Sequence, residues 1–136
     1  MKEFVLDANA LVRIFRNQSG AGKVQELFIQ SDKGQARLRM SAVNLTEVLY
    51  VCARYSSVDE ATRAMRKVSS LVEFVPVSMN DCLAAGELRL KYKLRLADCF
   101  AAELSIRLGA ALVTADLEFA RLGRRLKLLT LPRHSS

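Results

Sequence analysis

Apolar residues follow two rhythms along this chain, and the switches between them mark out the elements. Phe4-Val5-Leu6 is a short apolar run that stops on Asp7, and Ala10-Leu11-Val12-Arg13-Ile14-Phe15 follows with a helix-like pattern. This predicts a strand over 4–7 and a helix over 8–16. The turn cluster Asn17-Gln18-Ser19-Gly20 leads into a second helix, over 21–30, which Ser31-Asp32-Lys33-Gly34 breaks. Residues 36–41 alternate and read as a strand. Leu45, Val48, Leu49, Cys52 and Ala53 keep helical spacing over 44–55, and Ala61, Ala64, Met65 and Val68 line one side of a helix over 59–69. Residues 72–77 read as a strand in which Pro76 marks an end or an edge. Ser78, with Asp81 three positions on, has the form of a helix start. Residues 89–96 alternate between basic and apolar, which suits an extended segment or a fraying helix end equally. A helix over 98–108 closes on Gly109. A strand over 110–114, a short helix over 116–121 and a last strand over 126–131 complete the series.

Strands that alternate with helices in this way predict an α/β fold, with a mostly parallel sheet covered on both faces. One domain over 1–136 accounts for the whole pattern, with 132–136 as a flexible tail.

A buried strand that ends on an acid and opens a helix is how open α/β sheets make sites, because the carboxyl ends of parallel strands converge on a crevice. Asp7 is expected at the centre of that crevice, with Glu47, Asp98 and Asp116 brought to it. Taken singly, each acid has a plainer explanation. Asp7, Asp98 and Asp116 stand at predicted helix starts, where Asp caps exposed N–H groups. Glu47 falls opposite the apolar stripe of its helix, beside Tyr50 and Arg54, and Glu103 and Glu118 read as surface residues. Taken together, Asp7 and Asp116 each follow an apolar strand. Asp98 shares a helix face with Ala101, Ala102 and Ser105, small enough to hold it near the same edge. Gathered carboxylates raise one another's pKa unless a cation intervenes, and an oxygen set without His or Cys selects Mg²⁺ or Mn²⁺.

Composition narrows the chemistry further. His134 is the one histidine among 136 residues, so a His-based triad or a His-rich metal site is excluded. Cys52, Cys82 and Cys99 lie in helix-like patterns without CxxC spacing and read as packing thiols of a reducing compartment. No apolar run reaches the length of a membrane span and no signal-peptide pattern opens the chain, which predicts a cytoplasmic protein. A formal charge of +7 points to an anionic partner. An acidic pocket in a basic exterior suggests a cation bound first and a polyanion bound through it.

Leu6-Asp7-Ala8-Asn9, Ser41 with Asn44-Leu45-Thr46-Glu47-Val48-Leu49, Leu96-Ala97-Asp98, and Gly109 through Leu112-Val113-Thr114, Asp116 and Phe119 together resemble PIN-domain ribonucleases. The likeness is to the small VapC-type toxins of toxin–antitoxin pairs, and it runs from Phe4 to about Leu131. It implies a three-layer α/β/α sandwich with a parallel sheet of about five strands. It also implies a metal-dependent endoribonuclease, with one or two Mg²⁺ or Mn²⁺ ions held by Asp7, Glu47, Asp98 and Asp116. Asn9 and Thr114 match supporting polar positions, and Glu118 sits where some members carry a further acid. Glu103 departs from the family's usual small residue. The implied partners are RNA, a cognate antitoxin and a second copy of the chain. Arg89, Lys91, Lys93 and Arg95 before Asp98, with Arg121, Arg124 and Arg125 after Asp116, are candidate contacts to the RNA backbone, and Tyr92 is the aromatic best placed to stack on a base.

Two other readings compete. A haloacid-dehalogenase-like phosphatase also begins with an acid after its first strand, but needs a second Asp where this chain has Asn9. A non-catalytic PIN-like RNA-binding protein would bind RNA without cutting it.

Overall fold

The computed structural model describes residues 1–133 of the chain; His134 and the end of the expected tail lie outside them. Strand β1 (Lys2–Leu6) is followed by α1 (Ala8–Phe15), α2 (Ala21–Asp32), β2 (Ala36–Ser41), α3 (Ala42–Tyr55) and α4 (Val58–Val68). Then come β3 (Val72–Val75), α5 (Met79–Tyr92), α6 (Leu96–Leu108), β4 (Ala111–Thr114), a 3-10 segment (Leu117–Arg125) and β5 (Leu128–Thr130). The five strands form one sheet in the order β3-β2-β1-β4-β5, and every pairing is parallel.

Strand β1 is central, and the chain builds outward from it in both directions. It runs first through β2 to β3, then returns to lay β4 and β5 on the other side. The strand order therefore reverses between β1 and β4, where adjacent connections leave in opposite directions and open a crevice. Register fixes what faces that crevice: Leu6 pairs with Val113, and the Asp7 N–H still bonds to the Val113 carbonyl as the strands end.

Alternation along the strands divides the core in two. Leu6, Leu38, Met40 and Val113 point to the face covered by α1 to α4, where Leu11, Val24, Leu27, Val48 and Met65 pack. Val5 and Leu112 point to the other face, against Leu88, Leu104, Cys99 and Phe119 from α5, α6 and the 3-10 segment. The result is the three-layer α/β/α sandwich with five parallel strands. The alternation read in 36–41 has a specific cause: Arg37 and Arg39 stand between the apolar positions of β2 and pair with Glu73 and Glu3 of the two neighbouring strands.

Most boundaries lie within a residue or two of expectation, and the differences have local causes. Helix α3 starts at Ala42 because Ser41 ends β2 and caps it, its side chain accepting from the Val43 N–H. Strand β3 stops before Pro76 and is an edge strand. Strand β5 is shorter than 126–131, since Leu126 closes the preceding turn. At 89–96 the helical alternative holds. Helix α5 continues to Tyr92 and ends where Lys93 takes a left-handed conformation, so the extended alternative is set aside. Helix α6 begins two residues earlier than expected, with Arg95 at its N-cap; Asp98 lies in its first turn and does not cap it.

Candidate active site

Each acid reaches the crevice by a different element. Asp7 ends β1 and caps α1: one carboxylate oxygen accepts the Ala8 N–H at 2.8 Å, and the other accepts Asn9 Nδ2 at 2.9 Å and the Thr114 hydroxyl at 2.8 Å. Thr114, the last residue of β4, in turn accepts from Asn9 Nδ2 at 3.1 Å and from the Asp116 N–H at 3.0 Å. Asn9 Oδ1 accepts the Ala115 N–H. Asp7, Asn9 and Thr114 thus lock the end of β1 to the end of β4, and the Asp7 carboxylate cannot rotate without breaking three bonds. Asp116 caps the 3-10 segment by accepting the Glu118 N–H, a turn that brings Glu118 back beside it.

Asp98 is the acid that joins the two sides. It is 3% exposed, held on α6 above the sheet edge by its small neighbours Ala101, Ala102 and Ser105, all buried. Asn44, fully buried at the start of α3, donates to the Ala97 carbonyl at 3.2 Å and ties α6 to α3 across the strand ends. On one side Asp98 lines a cleft of about 170 Å³ with Asp7, Asn9, Glu47, Val51 and Arg95. On the other, an oxygen of Asp98, one of Asp116 and one of Glu118 all lie within 4.8 Å of one another. The crevice is therefore centred on Asp98, where the sequence pointed to Asp7.

Burial and mutual repulsion act on these carboxyls as proximity demands. Loss of hydration raises Asp7 to about 7 against the Thr114 hydrogen bond, and the charges of Asp98 and Glu47 add to the rise. Glu47, half-buried on the cleft side of α3, is raised by burial and by Asp98. Asp98 is raised by burial, with Asp116 and Glu118 adding to it and Arg95 opposing it. The Arg95 guanidinium lies over the group, its Nε 3.2 Å from Asp98 Oδ2 and its Nη2 3.9 Å from Asp116 Oδ2.

The donor set suits a hard divalent ion. It is all oxygen, it carries excess negative charge, and Asp7, Glu47 and Asp98 are raised in a way that a cation would relieve. Three carboxylates within 4.8 Å are close enough to share one ion, since Mg²⁺–O distances are about 2.1 Å. A guanidinium already resting on two of them shows that the cluster accepts positive charge.

Among the basic residues expected at the cleft, Arg95 lines it and Arg121 reaches its rim through Glu118 at 3.9 Å. Arg89 bonds to the Leu94 carbonyl, while Arg121 donates to the Tyr92 and Lys93 carbonyls; both brace the α5–α6 turn. Lys91 and Arg125 line a separate groove between α5 and α6, with Arg125 on the Tyr92 hydroxyl; Lys93 and Arg124 are exposed. The expectation that both basic runs flank the cleft is thus corrected for Lys91 and Arg125. Tyr92 itself is half-buried under this pair. Two arginines that the sequence did not single out, Arg13 and Arg133, join Asn9, Arg95, Asp116 and Glu118 around a polar hollow of about 380 Å³ beside the acids. Glu103, expected at the surface, is 6% exposed and bound to Arg107 at 2.9 Å.

A parallel α/β/α sandwich with carboxylates gathered where β1 and β4 part defines a class of oxygen-ligand, acid-centred sites on a doubly covered sheet. The PIN domain family model matches residues 4–125, and the chain belongs to that family. Membership sets aside the dehalogenase-like alternative, which Asn9, spent on Asp7 and Thr114, cannot serve.

Solved structures with this fold include VapBC complexes and a VapC toxin. A chain of VapBC2 from Rickettsia felis, bound to promoter DNA, superposes with a TM-score of 0.76 at 19% identity, covering 96% of this chain and 99% of that one. VapBC-1 from nontypeable Haemophilus influenzae gives 0.72 at 19% identity, covering 94% and 97%. VapC20 of Mycobacterium tuberculosis, a sarcin–ricin-loop-cleaving toxin, gives 0.70 at 15% identity, covering 88% and 95%. Heat shock 70 kDa proteins of Emericella nidulans and Penicillium citrinum are 28% and 26% identical over 87 residues, 64% of this chain. The chain spans 13% and 16% of the length of those two proteins. Among the described residues no helix is long and apolar enough to cross a membrane.

Proposed function

We propose that this PIN domain is a divalent-metal-dependent endoribonuclease that hydrolyses RNA phosphodiester bonds, and that it is the toxin of a toxin–antitoxin pair. The observation that carries the reading is the meeting of Asp98, Asp116 and Glu118 oxygens within 4.8 Å, with Asp7 and Glu47 on the adjoining cleft. Asp7, Glu47, Asp98 and Asp116 hold one or two Mg²⁺ or Mn²⁺ ions, with Glu118 as a further ligand. Bound there, such an ion supplies a more acidic water and neutralises charge on the phosphate during in-line displacement. Asn9 and Thr114 keep the Asp7 carboxylate in one orientation, so that a cation meets a fixed oxygen. Asn44 fixes the height of α6, and with it Asp98. Arg13, Arg95 and Arg133, beside the acids, take the flanking phosphates of a single strand.

Several structural neighbours are toxin–antitoxin complexes, which supports a protein partner for this chain. Tyr50, Tyr55 and Val58, each 63% exposed on α3 and α4, supply apolar surface for an antitoxin or a second copy of the chain. The free thiols Cys52 and Cys99, buried without disulfides, suit the cytoplasm.

Incubation of the purified protein with total RNA, with Mg²⁺ or Mn²⁺ and with EDTA, tests the reading. Discrete cut ends that disappear in EDTA and in Asp98→Asn are expected. Intact RNA with both metals, or equal cutting by the folded variant, rejects the nuclease and leaves the non-catalytic RNA-binding alternative.

A further inference from the structure

Around the α5–α6 turn the other arginines are held by neutral partners, Arg89 and Arg121 by carbonyls and Arg125 by a phenol, with Arg121 also 3.9 Å from Glu118. Arg95 differs. Its side chain is 73% exposed, yet its guanidinium is turned inward onto Asp98 and Asp116, and it also lowers the energy of the Glu47 carboxylate. It stands at the N-cap of α6 without making a capping bond, so the inward turn does nothing for the helix end. It lines both hollows that flank the acids, the one with Asp7 and Glu47 and the one with Arg13 and Arg133; Asn9 is the other residue common to the two. A long, solvated side chain that bridges two carboxylates across the middle of a site is placed as a counter-ion and is free to leave.

We propose that the Arg95 guanidinium is the resident counter-ion of the metal-free acid cluster. It rests where a divalent ion would rest on Asp98 and Asp116, must swing off them when an ion enters, and then turns its fork to an RNA phosphate beside the site. This rests on the nuclease reading for the nature of the ion and the substrate. The exchange is electrostatically even-handed. The acids keep a positive partner throughout, and the guanidinium passes from a carboxylate pair to a phosphate, both of which match its planar donors. Arg95 thereby sets metal affinity and RNA grip in opposite directions: it competes with the first and contributes to the second.

Calorimetric titration with Mn²⁺ in the absence of RNA tests the first half. Arg95→Gln removes the competitor and should bind Mn²⁺ roughly fivefold more tightly or better, while Arg95→Lys, which keeps a cation there, should stay near the parent protein. Equal or weaker binding by Arg95→Gln overturns the proposal. Fluorescence anisotropy of a single-stranded RNA oligonucleotide in Ca²⁺ tests the second half. Arg95→Gln should bind more weakly, and its slope of log affinity against log salt should be smaller by about one. An unchanged slope removes Arg95 from the phosphate. Because the titration uses no RNA, tighter Mn²⁺ binding in a protein that never cuts RNA would sink the nuclease reading and leave the counter-ion standing.

Discussion

Asp7→Asn should stabilise the metal-free protein at alkaline pH and destabilise it at acid pH. The carboxyl is 3% exposed and titrates near 7 in the fold, against 3.8 in the open chain, mainly because burial strips its hydration. A carboxyl raised in this way holds its proton more tightly folded than unfolded. Its stabilising contribution is complete below about pH 4 and is lost as pH rises to about 7. The ionised group then costs the metal-free fold at most about 4 kcal/mol. Asn is isosteric and uncharged, so it escapes that cost, but its amide nitrogen meets the Asn9 Nδ2 and Thr114 hydroxyl donors that Asp7 now accepts. Losing those bonds costs about 1–3 kcal/mol. The net at pH 8 is a gain of up to about 1–3 kcal/mol, a rise in Tm of roughly 5–10 °C for a chain of this size. At pH 4, where the folded parent is protonated and the open chain about half so, the lost bonds dominate and the same substitution should lower Tm by a few degrees. Thermal unfolding in EDTA at the two pH values reads both signs directly. Added Mn²⁺ should raise the parent's Tm by more than the variant's, which keeps Asp98, Asp116 and Glu118 but lacks the Asp7 carboxylate. A variant that melts below the parent by the same margin at pH 4 and pH 8 would show that the buried charge is not the dominant strain at this site.

Three further outcomes are expected. Thr114→Val removes a hydroxyl that donates to Asp7 and accepts from Asn9 and Asp116 while keeping its shape, so initial cleavage rates should fall roughly 10- to 100-fold with the fold retained. Divalent affinity should weaken as pH falls below about 7, because Asp7 must give up its proton to serve a cation; calorimetry in buffers of different ionisation enthalpy should detect protons released on binding. Ser78→Ala breaks the reciprocal cap in which Ser78 and Asp81 each accept the other's N–H, which should cost about 1 kcal/mol in thermal unfolding and leave cleavage rates as they were.

Most of the fold was legible because a parallel sheet writes itself in short apolar runs, and the acids at the ends of β1 and β4 lie where such runs stop. Local signals were weaker guides elsewhere. The basic–apolar alternation over 89–96 suggested a strand as readily as a helix because Leu90, on the outer side of α5, is 84% exposed, an apolar residue out of phase with its helix. Asp98 looked like a cap because Arg95, the residue that fills that position, carries no capping side chain. Glu103 was misread because its burial is tertiary: Arg107 lies one turn along the same helix, but Asp81, 3.4 Å from Arg107, comes from the neighbouring helix packed against them. Glu118 read as surface because it is exposed; only the Asp116 turn brings it to Asp98. Arg13 and Arg133 could not be found by pattern, since they flank one hollow from opposite ends of the chain.

The most direct test is a crystal soaked in Mn²⁺ and measured at a wavelength where manganese scatters anomalously. A peak bounded by Asp98, Asp116 and Glu118, with the Arg95 side chain turned away from it, and no such peak in Asp98→Asn, is the expected result. Saturated crystals that show manganese elsewhere, or none between these three carboxylates, would contradict the assignment of this crevice as a metal-dependent catalytic centre.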